Sequence, residues 1–132
     1  MKKRVLLVED DLGMIDLVQI QLELLGYEVI VTIDGLEATE KAASHLPDLI
    51  VMDILMPKLD GFQATKLIRQ DPKTKNIPIL AATALALPGD KEKCLEAGCD
   101  GYIAKPFTHR QLETAIDSVL QKQPGDFQRT SS

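Results

Sequence analysis

Residues 49–61, LIVMDILMPKLDG, carry four apolar residues into one carboxylate, Asp53, and then, past three more apolar residues, into Pro57 and Gly61. A stretch this apolar on both faces reads as a strand covered on each side, the signature of a parallel sheet between helices. A charge at the end of such a strand is unfavourable unless something outside the strand uses it. The same pattern recurs along the chain. RVLLV (4–8), YEVIVT (27–32), DLIVMD (48–53), IPILAAT (77–83) and GYIAK (101–105) are five candidate strands.

Helical segments separate them. In 12–26, Leu12, Ile15, Val18 or Gln19, Leu22 and Leu25 recur at helical spacing, with Asp11 as cap and Gly26 as terminator. Asp34 and Glu37 predict a capping box for a second helix, stopped by Pro47. A third helix is expected from Phe62 to Gln70, and a fourth from Pro88 to Ala97 with Gly98 past its end. Thr108 and Gln111 predict a capping box for a fifth, which turns Leu112, Ile116 and Val119 inward. Pro57 and Gly61 read as loop punctuation. Alternating strands and helices predict an α/β, doubly wound, five-stranded parallel sheet of order 2-1-3-4-5 with helices on both faces, a flavodoxin-like arrangement.

Composition bounds the function. The 132 residues, 45% hydrophobic and 27% charged, predict one soluble domain without a membrane span. Residues 1–122 form the expected domain, and 123–132 a polar, disordered tail. The first apolar run is broken by Glu9, Asp10 and Asp11 before it could act as a secretory signal, which predicts a cytoplasmic location. A net charge of −5 and a pI near 5.0 argue against nucleic acid and anionic membranes as partners. Cys94 and Cys99 match no zinc spacing and read as small buried apolar residues in a reducing compartment. His45 and His109 read as surface residues.

On the expected fold, Glu9 and Asp10 end the first strand, Asp53 the third, Thr83 the fourth and Lys105 the fifth, all on one edge. Strands one and three are neighbours, so three carboxylates crowd together and call for a cation. Mg²⁺, an oxygen-seeking ion that shares its shell with carboxylates, water and phosphate, fits best. A lysine and a hydroxyl opposite the carboxylates suit the charge of a transferring phosphoryl group. The chemistry suggested is phosphoryl transfer to a carboxylate nucleophile.

LLVEDD, VMDILMPKLDG, AATA and AKPF, in this order and at these strand ends, resemble the receiver domain of two-component response regulators over residues 4 to 121. The resemblance implies that Asp53 accepts a phosphoryl group from a histidine kinase or phosphotransfer protein. It implies that Glu9 and Asp10 organise Mg²⁺, with Asp10 and Asp53 as ligands and Leu55 lending its backbone carbonyl. Thr83 and Lys105 would each bond a phosphoryl oxygen, Lys105 aimed by a cis bond to Pro106. Tyr102 would be the switch aromatic of an interaction face formed by the fourth helix, fifth strand and fifth helix, on a monomer or a phosphorylation-dependent dimer. Leu55 and Leu85, which cannot hydrogen-bond an attacking water, imply slow self-dephosphorylation, on the order of tens of minutes or longer. Chemotaxis-type receivers carry polar residues at those two places.

Two other classes compete. A phosphatase of the haloacid-dehalogenase type also pairs an aspartate nucleophile with Mg²⁺, but places a second aspartate where Leu55 stands. A flavodoxin-type flavin domain shares the strand order, but EDDLGM (9–14) would repel a phosphate without a metal.

Overall fold

Strands and helices alternate throughout a computed structural model that describes residues 2–55, 59–84 and 89–121. The order is β1 (Arg4–Val8), α1 (Leu12–Leu24), β2 (Glu28–Thr32), α2 (Gly35–His45), β3 (Leu49–Asp53), α3 (Gly61–Gln70), β4 (Ile79–Thr83), α4 (Asp90–Ala97), β5 (Gly101–Ala104) and α5 (His109–Gln121). All pairings are parallel, and the sheet runs β2-β1-β3-β4-β5, as expected.

The two-residue period of the strands divides the core. Leu6, Val8, Ile50, Met52, Ile79 and Ala81 point to the face covered by α2, α3 and α4. Val5, Leu7, Leu49, Val51, Leu80 and Ala82 point to the opposite face, against α1 and α5. β3 and β4 are buried at every position, while the edge strands β2 and β5 are only partly covered. The inner strands are therefore the rigid part of the frame.

Local signals set the helix ends. Asp11 accepts from the Met14 N–H at 3.2 Å, and Asp34 from that of Glu37 at 2.8 Å. The Thr108–Gln111 box closes in both directions. α2 ends at Leu46, held left-handed at φ 47° just before Pro47, whose ring disfavours helix in the residue preceding it.

Some expectations are corrected. Leu12 lies outside the core, 76% exposed, and Gln21 joins Ile15, Val18 and Leu22 on the buried face instead. α4 begins at Asp90 after Gly89, and its expected start, Pro88, lies outside the described residues, as do Pro57 and the tail 123–132. Gly61 is the first residue of α3, within a capping box made by Asp60 and Gln63. Its N–H donates to the Ile54 carbonyl at 2.9 Å. A Cβ there would lie 2.6 Å from the Asp53 carbonyl oxygen and 2.7 Å from the Ile54 Cα. Only glycine lets α3 start so close to the end of β3.

Arg69 ties the other end of the frame. Its guanidinium donates to the carbonyls of Gly98, Lys75 and Ile77 and to the Asp100 carboxylate at 2.7–2.9 Å. The Asp100 carboxylate also accepts the Ile79 N–H at 2.9 Å. One side chain thus joins the end of α3 to the α3–β4 and α4–β5 connections.

Because the two nearest atoms facing Gly61 are backbone, Gly61→Ala is expected to destabilise the fold by about 1–3 kcal/mol, the usual range for overpacking. Urea unfolding checks this, and an unchanged midpoint would show that the β3–α3 junction yields freely.

Candidate active site: an acidic cluster at the carboxyl edge of the sheet

The strand register assembles the site. Val8 pairs with Met52, so the residues after them, Glu9 and Asp53, end adjacent strands side by side. Asp53 in turn pairs with Ala82, one residue before Thr83, and Thr83 pairs with Ala104, one residue before Lys105. Glu9, Asp10 and Asp53 each offer a carboxylate oxygen, all within 4.8 Å of one another. Glu9 and Asp53 are buried, while Asp10 is exposed at the mouth. Among the described residues this is the one such group, and neither His45 nor His109 joins it.

Lys105 closes the cluster from β5. Its ammonium bonds Glu9 Oε1 and stands 3.5 Å from Asp53 Oδ2. The bond between Lys105 and Pro106 is cis. The Lys105 N–H donates to the Thr83 carbonyl at 2.9 Å, which fixes the strand end beneath the side chain. Thr83 is fully buried. The Leu55 N–H donates to Asp53 Oδ1 at 3.2 Å and orients the carboxylate, while the leucine side chain lies half exposed beside it. Asp11 stays apart as the α1 cap, its N–H donating to Glu9 Oε2 at 3.2 Å. Tyr102, half-buried, packs on the α4 side of the sheet. Leu85 lies outside the described residues.

Charge balance tests the fit of a cation. Burial, then the hydrogen bond that protonated Asp53 donates to Glu9 and the Glu9 charge, push the Asp53 carboxyl up from its ordinary 3.8 to about 7, against the pull of Lys105 and the Leu55 N–H. One ammonium does not balance three carboxylates. An oxygen-ligated divalent ion, with Asp10 open to water, matches both the donors and the deficit.

A family model for the response regulator receiver domain matches residues 5–117. This chain belongs to that family. The polar-differentiation response regulator DivK of Brucella anthropi is 41% identical over 120 residues, which span 91% of this chain and 98% of DivK. Among solved structures, the receiver domain of a sensor histidine kinase from Pseudomonas aeruginosa PAO1, with a magnesium ion coordinated in its active-site cleft, is 38% identical. It superposes with a TM-score of 0.86 over 92% of this chain and all of its own. Chemotaxis protein CheY4 of Vibrio cholerae is 33% identical, with a TM-score of 0.84 over 90% of this chain and 99% of its own.

Membership settles the class of activity. Receivers accept phosphoryl groups as regulators rather than acting as general catalysts, and they work with histidine kinases and downstream partners. The phosphatase and flavin readings gain no support. Mg²⁺ is the cofactor that the cluster and the magnesium-bound relative indicate. Among the described residues no helix is long and apolar enough to cross a membrane.

The proton on Asp53 has a thermodynamic consequence. The folded receiver keeps a proton there that the unfolded chain releases near 3.8, so without metal its stability falls as pH rises from 3.8 toward about 7. Above that range both states are ionised and the loss levels off. In chelator, the melting temperature is expected to decline across this window. Millimolar Mg²⁺, binding only the folded form, should raise it most at the upper end. Melting indifferent to Mg²⁺ at pH 8 would contradict a cation site.

Proposed function

We propose that this receiver is a phosphorylation switch in the cytoplasm, with Asp53 as phosphoacceptor, residues 1–122 as the receiver unit and 123–132 as a polar tail. The observation that carries the assignment is the convergence of Glu9, Asp10 and Lys105 on the Asp53 carboxylate. The donor is a phosphohistidine of a sensor kinase or phosphotransfer protein. An Asp53 oxygen attacks phosphorus, the bond from phosphorus to the histidine nitrogen breaks, and the imidazole leaves with the electron pair.

Asp10 and Asp53 would hold Mg²⁺ with the Leu55 carbonyl, and Glu9 would steer the ion through its water shell. Bound there, the ion neutralises the carboxylates and the incoming phosphoryl oxygens. Lys105 bonds one phosphoryl oxygen by exchanging its Glu9 contact for the new anion, and the Thr83 hydroxyl bonds another. Thr83 lies one β-pair from Ala104, so its shift reaches β5 and Tyr102 directly. The face formed by α4, β5 and α5 would then change shape and bind a downstream protein, or a second copy, according to phosphorylation.

Leu55 stands half exposed at the mouth, where a hydrolytic water would approach. With no hydrogen-bonding group to hold that water, and with Leu85 as its assigned counterpart, the aspartyl phosphate is long-lived.

Phosphotransfer with a labelled donor, acetyl phosphate or a cognate kinase, tests the assignment. One phosphoryl group per chain is expected with Mg²⁺, and none in Asp53→Asn, whose amide is a poor nucleophile. Undiminished labelling of that variant would move the acceptor elsewhere. In the phosphorylated protein, Leu55→Asn should hasten loss of label several-fold by seating a water. A phosphate half-life of seconds in the unaltered chain would show that the leucine does not guard the site.

A further inference from the structure

Cys94 and Cys99 are the only cysteines of the chain, and both lie in the core on the α4 side of the sheet. The end of α4 brings them together. Gly98, at φ 116°, turns the chain left-handed after Ala97, a conformation that a side chain would strain. The Gly98 N–H then donates to the Leu95 carbonyl at 3.1 Å, and the Cys99 N–H donates to the Cys94 carbonyl at 3.0 Å. This doubly bonded turn brings its first and sixth residues together, and both side chains lie in one buried cluster. Both thiols are buried in the same cluster, and Thr65 Oγ1 lies 3.7 Å from Cys99 Sγ. Nothing in the phosphorylation site uses them.

We propose that Cys94 and Cys99 form a dithiol modification site, which closes to an intramolecular disulfide when a hydroperoxide oxidises it. The Cys99 N–H to Cys94 carbonyl bond already holds the two backbones together at the end of α4, so closing the disulfide moves no strand. Cys94 reacts first. The hydrogen bond from Cys99 holds its thiol below the ordinary value against the effect of burial, and the same bond, with burial, pushes Cys99 up.

The Cys94 sulfur attacks one peroxide oxygen, the O–O bond breaks, and the leaving oxygen departs as water or alcohol with the thiol proton. Cys94 is then a sulfenic acid. The Cys99 sulfur attacks the Cys94 sulfur, the S–O bond breaks, and the hydroxyl leaves as water with the Cys99 proton. Two thiols lose two electrons and the peroxide gains them. Access comes through opening of α4, a helix of eight residues whose Gly89 cap makes no side-chain bond. In a reducing compartment the bond is transient and returns to thiols. It closes on one element of the partner face proposed above, but the chemistry stands without that reading.

Mass spectrometry tests it directly. The full native chain is treated with hydrogen peroxide, quenched, unfolded in an alkylating reagent and weighed. The expected product is a monomer lighter by two hydrogens that takes up no alkyl group until a dithiol reductant is added, and then takes up two. Two freely alkylated thiols after the treatment, a product heavier by two oxygens on one cysteine, or a disulfide-linked dimer would each overturn the proposal.

Discussion

Like charge held at the ends of two adjacent parallel strands is the constraint on which the rest of this receiver depends. Glu9 and Asp10 follow β1, Asp53 closes β3, and the sheet order makes those strands neighbours. Their carboxylates repel, and burial of Glu9 and Asp53 removes the water that would screen them. Lys105 relieves part of the repulsion from β5, and the proton drawn onto Asp53 near neutral pH relieves more. What remains is an unbalanced negative site that favours a divalent ion. In the proposed function, an ion there would let the same site take a phosphoryl group that it would otherwise repel.

Such a site needs a frame that does not relax. β3 and β4 are buried along their whole length, each carrying two faces of apolar side chains into separate layers. Close packing on both faces leaves Asp53 and Thr83 little freedom to move apart. Gly61 brings the amino end of α3 against the Asp53 backbone, and Arg69 fastens the opposite end of α3 to the α3–β4 and α4–β5 connections. The loops at the carboxyl edge carry the polar groups, while the strands beneath them set the distances.

Much of this was legible in the sequence because it is local. Strands, helices and the caps at Asp11, Asp34 and Thr108 follow from residues within a few positions of each other. Acidic residues at two strand ends, with a threonine and a lysine at two others, suffice to place a site once the strand order is assumed. Alternation of strands and helices, with right-handed crossovers, restricts that order to few choices. The ends of α3 and α4 were less legible. Asp60 and Gln63 sit in a segment whose proline and glycine read as loop, and Gly89 caps without a side chain.

The sequence by itself determined the alternation of elements, the identity of the polar strand ends and the family, since each is written in residue type and spacing along the chain. Tertiary structure alone decided what depends on distance through space. Leu12 follows the helical period yet faces solvent at the first position of α1, 76% exposed. Gly61 is obligatory only because the backbone of Asp53 and Ile54 lies against it. Arg69 finds carbonyls from 6 to 29 residues away, and Lys105 finds Glu9 across 96. The proton on Asp53 and the pairing of Cys94 with Cys99 depend on burial and on the direction in which side chains meet, which spacing along a chain does not encode.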